Sequence, residues 1–248
     1  VSLSPSTTEL LFAIGAGPAL VGRTRWCDYP PEASAVPNVG DGLRPDVERI
    51  AGRRPDLVVL YASGANQSAV SRLAQLGVAT ASVRLDRLED LPRVARFLGR
   101  LTGFASRADS LAYAFSRQLD SARAALAGAG TPRRVAVVVW DRPPMVIGRG
   151  SFLSDLISLA GGRNVFDDLR QPSAATTIEA IAERDPDALL VLGNTVPAFA
   201  ARAEWQSVRA VRQGRLIRVA GGEFERPTFR ALTAAAALRA ALEEIPRP

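Results

Sequence analysis

Short unbroken apolar runs punctuate the chain: LVVLY at 57–61, VAVVVW at 135–140 and ALLVL at 188–192. Runs of this length, rich in Val and Leu and bounded by polar or Pro-bearing segments, read as strands buried on both faces, the pattern of a parallel sheet covered by helices. Elsewhere the spacing turns helical. From Ser106 to Ala127, SRADSLAYAFSRQLDSARAALA contains neither Gly nor Pro and sets Leu111, Phe115, Leu119 and Ala122 on one face, which predicts one long helix of roughly 30 Å. The loop AGAGTPRR follows it, and then the strand VAVVVW. A last helix is predicted over FRALTAAAALRAALE, Phe229 to Glu243, with Pro227 in its first turn.

One pattern is written twice. ERIAGRRPDLVVL runs from Glu48 to Leu60, and EAIAERDPDALLVL from Glu179 to Leu192. Each copy predicts a short helix ended by Pro-Asp and followed by a buried strand, with Asp46 as N-cap of the first and Thr177 of the second. Ile50 and Ala51 in one copy, and Ile181 and Ala182 in the other, take the inward positions. A weaker echo links TELLFAIGAG (Thr8 to Gly17) with SDLISLAGG (Ser154 to Gly162): a capping hydroxyl, an early acid, an apolar face and a terminal glycine. The fold class that follows is α/β, with two similar lobes, each holding a mainly parallel central sheet flanked by helices, joined by one long rigid helix. The expected boundaries are an N-terminal lobe at 1–104, a bridging helix at 105–128 and a C-terminal lobe at 129–248.

Composition narrows the chemistry. The chain has 248 residues, 47% of them hydrophobic, enough for buried cores. Its opening VSLSPSTTELL reads as strand then capped helix, so any export signal is expected to lie outside this sequence. The net charge is +6, and every basic residue is an arginine scattered among acids. A nucleic-acid site needs a basic stripe interleaved with aromatics, so no nucleic-acid partner is expected. One cysteine and no histidine exclude an internal disulfide framework, His-dependent triads and His-bearing zinc sites.

The wording of several segments resembles one family. SLSPSTTELLFAIG at the start, DYPPEA at Asp28 to Ala33, RPDLVVL at Arg54 to Leu60, AGGRNVFDD at Ala160 to Asp168 and EFER at Glu223 to Arg226 are similar to the substrate-binding proteins of bacterial ABC importers for cobalamin, ferric siderophores and haem. The vitamin B12-binding branch is nearest in wording and order. The resemblance implies a receptor that captures a cobalamin-like corrinoid in a cleft between its lobes and hands it to a permease dimer, with a ferric siderophore or haem as the alternative ligand. It also gives the duplicated motif a reason: Glu48 and Glu179 match glutamates that dock against permease arginines, and a two-fold permease requires two anchors. The other reading of each is an acid that favours its helix N-terminus.

Implied ligand contacts are Trp26, Tyr61 and Arg226, with Tyr29 and Met145 beside them. Each also has a plain reading: Trp26 and Tyr29 as packing residues of a loop, Tyr61 as a cap on the core, Arg226 as partner of Glu223 or Glu225, and Met145 as filler. Tyr29 and Tyr61 are candidates for a ferric phenolate, and Cys27 for either a soft-metal thiolate or a small packing residue. The chain departs from the B12 pattern where Gly42 and Ser173 replace tryptophans and Gly222 replaces an aspartate. No resident cofactor, no catalytic residue and no protein-held metal is expected; the bound species would be a cobalt corrinoid or a ferric chelate. The protein is expected to be a periplasmic or extracytoplasmic monomer, free or lipid-anchored through a segment not present here. Two readings of another class stay open: a metal-chelate-handling enzyme using carboxylates such as Asp28 and Asp141, and a sensor or adaptor on the same scaffold.

Overall fold

A computed structural model describes residues 1–126 and 130–246. The expected end of the bridging helix at 128, the start of the second lobe at 129 and its last two residues lie outside the described residues. The chain forms two compact units. The first comprises Val1–Leu85 and Glu89–Ser116, the second Asp86–Leu88 and Arg117–Pro248.

The first unit contains α1 (Pro5–Ala13), α2 (Val47–Ala51), β1 (Leu57–Tyr61), α3 (Gln67–Gln75), β2 (Ala79–Val83), α4 (Asp90–Thr102) and the start of α5 (Ala105–Ala124). β1 and β2 pair in parallel from Leu57↔Ala79 to Tyr61↔Val83. Single parallel bridges extend the layer through Ser2 to Val59 and Arg23, and through Arg23 to Asn38. Val58, Val59 and Leu60 are buried together, because β1 is covered on both faces as its unbroken apolar run requires. Val58 and Leu60 pack with Val47 and Ile50 of α2 and with Leu73 of α3.

The second unit adds β3 (Arg133–Asp141), β4 (Pro144–Ile147), α6 (Phe152–Leu159), β5 (Gly162–Asn164), β6 (Ser173–Ala175), α7 (Ile178–Glu183), β7 (Ala188–Leu192), α8 (Arg209–Arg212), β8 (Leu216–Val219), α9 (Gly222–Glu225) and α10 (Ala231–Glu243). The strand order is β6-β4-β3-β7-β8, with β5 beside β3. β3, β5, β7 and β8 are parallel, whereas β4 turns back antiparallel on β3 and β6 on β4. Ala136, Val138, Leu189 and Val191 pack with Phe166, Ile181 and Trp205 in its core.

α5 runs unbroken for 20 residues, about 30 Å, starting in the first unit and ending in the second. Phe115 and Leu119 are buried on it; Leu111 and Ala122 are half-buried.

Three helix starts differ from the pattern. α1 begins at Pro5 with Ser4 as N-cap, so Thr8 lies inside the helix; a proline at N1 has no N–H to lose and sets the start. Its hydroxyl faces Ser2 and Cys27 instead. α6 is capped by Ser151, which accepts from Leu153 N, and Ser154 serves as acceptor for Asn164 Nδ2 at 3.3 Å. α10 starts at Ala231 rather than Phe229, leaving Pro227 before it. There Gly222–Glu225 forms its own turn, and Thr228 Oγ1 accepts from Arg230 N, a local bond that competes with helix.

Candidate functional site

In open α/β sheets ligands meet the loops beyond the carboxyl ends of the parallel strands. In the first unit those loops carry Trp26, Asp41 and Tyr61. Trp26 is 56% exposed, and its surroundings are specific. The Arg25 guanidinium lies over its ring, 4.9 Å from the centroid, within cation–π range. Asp41 accepts from Arg25 Nη2 at 2.6 Å and from Leu43 N at 2.8 Å. The Leu43 amide first, then Arg25 and the Trp26 side chain, hold the Asp41 carboxyl below the usual carboxylate range.

Tyr61 ends β1 and is half-buried; its carbonyl accepts from Asn66 Nδ2 at 2.9 Å. Tyr29 is 39% exposed and shares Trp26's loop. Cys27, between them in sequence, points the other way: it is 1% exposed, with Sγ 3.1 Å from both Thr8 Oγ1 and Thr24 Oγ1. That hydroxyl cage makes it a packing and hydrogen-bonding residue. Among the described residues no group of three or more His, Cys, Asp or Glu could hold a metal ion.

In the second unit Met145 lies half-buried on β4, paired with Trp140 on β3 and Ala175 on β6. Arg226 follows α9 and is 9% exposed. Glu223 pairs with Arg230, so it is not reserved for Arg226. β3 and β7 separate β4 from β8, so Met145 and the segment that carries Arg226 follow from different parts of the sheet.

The glycine replacements have local causes. A Cβ on Gly42 would run into the Leu3 carbonyl oxygen, a backbone atom. One on Gly222 would meet the Arg226 guanidinium: the arginine occupies the space that a side chain at 222 would need. Ser173 opens β6 opposite Ile147 and is half-buried.

Glu48 and Glu179 stand on the first turns of α2 and α7. The caps are those the sequence predicts: Asp46 Oδ1 accepts from Arg49 N at 3.0 Å, and Thr177 Oγ1 from Ala180 N at 3.2 Å. The Glu48 side chain is 89% exposed, with Arg72 Nη2 3.9 Å away. Glu179 is exposed.

Sequence reasoning missed Arg25, Asp41 and Trp140. Arg25 and Asp41 are 16 residues apart and meet because the Arg23–Asn38 bridge and the bond from Arg25 N to the Gly40 carbonyl join their segments, which no local pattern announces. Trp140 was hidden as the last letter of an apolar run.

Two α/β units, each presenting aromatic and arginine side chains beyond its strand ends and an exposed glutamate on a short helix, define a two-lobed ligand receptor. Residues 1–220 match the family described as periplasmic binding protein, and the chain belongs to it. The vitamin B12-binding protein of Salmonella typhimurium is 29% identical over 245 residues, 99% of this chain and 90% of that protein. The periplasmic vitamin B12-binding protein BtuF of Vibrio cholerae superposes with a TM-score of 0.82 at 25% identity, over 98% of this chain and 95% of that one. The periplasmic heme-binding protein RhuT from Roseiflexus sp. RS-1 gives 0.86 at 25% identity, over 98% and 97%.

Proposed function

We propose that the protein is an extracytoplasmic, monomeric substrate-binding protein that captures a cobalamin-like corrinoid and delivers it to an ABC importer permease, with no chemistry required of any residue. The observation that carries the ligand class is the exposed Trp26 indole, held by Arg25 and Asp41 beyond the strand ends of the first unit. A ring fixed before binding offers a large flat contact at little entropic cost. Tyr61, Tyr29, Met145 and Arg226 supply further contacts. Similarity to vitamin B12-binding proteins over nearly the whole chain supports the corrinoid. Glu48 and Glu179, exposed on the first turns of matching helices, are the charges offered to the permease.

Haem or a ferric chelate is the second reading. Gly42 and Gly222 present no side chain to a corrin, while Arg25 supplies a cation suited to a carboxylate-bearing ligand. Titration of tryptophan fluorescence with cyanocobalamin, haem and ferric siderophores, corrected for ligand absorbance, separates the two. Saturable quenching by cyanocobalamin with a Kd below about 1 μM supports the corrinoid. Saturation by haem or a ferric chelate alone moves the substrate and keeps the receptor. Silence across the panel refutes capture of these ligands.

A further inference from the structure

β3 and β4 form a hairpin closed by Arg142 and Pro143, with Asp141 opposite Pro144, Trp140 opposite Met145 and Val138 opposite Val146. Two steps on β3 therefore match one step on β4: Val139 is the extra residue of a β-bulge. Side chains alternate along a strand, so without the bulge Trp140 would share the face of Val138, which is 3% exposed in the core. The bulge breaks that parity, and Trp140 emerges 61% exposed at the carboxyl end of β3. Bulges recur where a strand must re-aim one side chain.

An exposed tryptophan alone is unremarkable; two further features set this one apart. Its Nε1 donates to the Arg142 carbonyl at 2.9 Å, so the polar edge has a partner inside the hairpin and one ring position is favoured. The hairpin tip is itself tied down. Asp141 pairs with Arg202, whose Nε lies 3.6 Å from Glu204, and Arg142 lies 4.0 Å from the same glutamate. The side chain of Arg202 is only 20% exposed. An apolar ring thus has a preferred position, facing outward, at the end of the sheet where ligands of α/β proteins dock.

We infer that Trp140 is a ligand-stacking residue of the second unit, taking the flat apolar face of a metal macrocycle on a ring fixed by the β3–β4 bulge and the Arg142 carbonyl. The inference rests on the proposed receptor function and names a contact beyond Met145, the cross-strand partner of Trp140. Any flat macrocycle face satisfies an indole, so the contact serves corrin and porphyrin alike and adds affinity rather than choice between them.

The test is isothermal titration of the unaltered protein, Trp140→Ala and Trp140→Phe with cyanocobalamin and with haem, beside urea unfolding of each. Removing a stacking platform costs about tenfold or more in affinity. The expected result is that loss in W140A, a smaller loss in W140F, which keeps an aromatic face but not the Nε1 bond to Arg142, and unfolding midpoints that coincide, because the lost side chain is mostly exposed. W140A binding within about twofold of the unaltered protein overturns the inference and leaves the receptor function standing. An equal loss in W140F and W140A overturns stacking as the cause, and no binding by the unaltered protein overturns function and inference together.

Discussion

Cys27 carries two alternatives at the level of one side chain, a soft-metal thiolate or a packed thiol, and its neighbours decide between them. With Thr8 and Thr24 hydroxyls 3.1 Å from Sγ and 1% of the residue exposed, it is sealed from ions and reagents. An aromatic disulfide reagent should leave the native protein untouched and titrate one thiol once urea has unfolded it; prompt reaction in buffer would contradict the burial. Cys27→Ser should preserve the hydrogen bonds, whereas Cys27→Ala, leaving hydroxyls short of a partner, should cost about 1–3 kcal/mol in urea unfolding. Gly42 is the companion case. Its backbone lies against the Leu3 carbonyl, so Gly42→Ala should destabilise by about 1–3 kcal/mol, and a tryptophan there should impair folding rather than restore a corrin contact. Sequence alone could mark Gly42 as a missing aromatic but could not say that the backbone had closed over the space. It could mark Trp26 as a candidate ligand contact, since Trp26 matches a corrin-contacting position in the family the chain resembles, but not the Arg25–Asp41 brace, which depends on a bridge between distant segments.

The duplicated motif was legible to the residue at the level of elements: Asp46 and Thr177 cap their helices, Ile50 and Ile181 are fully buried, and each helix leads into its buried strand. Capping and apolar spacing are local, so a linear pattern contains them. Less local features escaped it. β4 and β6 turn antiparallel, and Asp86–Leu88, between β2 and α4 in sequence, packs with the second unit. There Arg87 pairs with Asp155 on α6, Leu88 N donates to Asp155 Oδ2 at 3.0 Å, and Phe152 N donates to the Asp86 carbonyl at 2.7 Å. Asp155 is 8% exposed, so Asp155→Ala, which removes the carboxylate that both Arg87 and the Leu88 amide donate to, should lower stability by about 3 kcal/mol in urea unfolding; a loss under about 1 kcal/mol would show the segment to be loosely held. The loop after β5 is tied to the end of α7 by Arg184, which donates to both Asp168 oxygens, at 2.6 and 2.8 Å. That pairing, its largest cause, holds Asp168 below the usual carboxylate range. A depressed carboxyl stabilises the folded state above its unfolded pKa, and that contribution disappears as pH falls through the folded value. Asp168→Asn should therefore be less stable than the unaltered protein at neutral pH, and the difference should begin to shrink as pH falls below about 4.

Across the whole molecule, the proposed delivery needs charges that bind a partner without disturbing ligand capture, and the two glutamates proposed for that role differ. Glu48, with its side chain 89% exposed, has Arg72 3.9 Å away, a weak surface pair that any docking arginine would have to displace. Glu179 is exposed and has no ion pair among the described residues, so its full charge is available. An exposed pair is worth about 0.2–1 kcal/mol, a factor of about 1.4 to 5 in affinity. Reversing one glutamate to arginine should weaken permease stimulation in proteoliposomes, with Glu179→Arg more damaging than Glu48→Arg, and the double reversal should abolish it. Arg72→Gln should strengthen docking, by a factor of about two to three, because it releases Glu48. Corrinoid or haem affinity should stay unchanged throughout, since neither exposed carboxylate supports a core. Stimulation that survives the double reversal would remove docking from these residues. A joint fall of stimulation and ligand affinity would place them in the fold instead, and equal single effects with no response to Arg72→Gln would keep both anchors and discard their inequality.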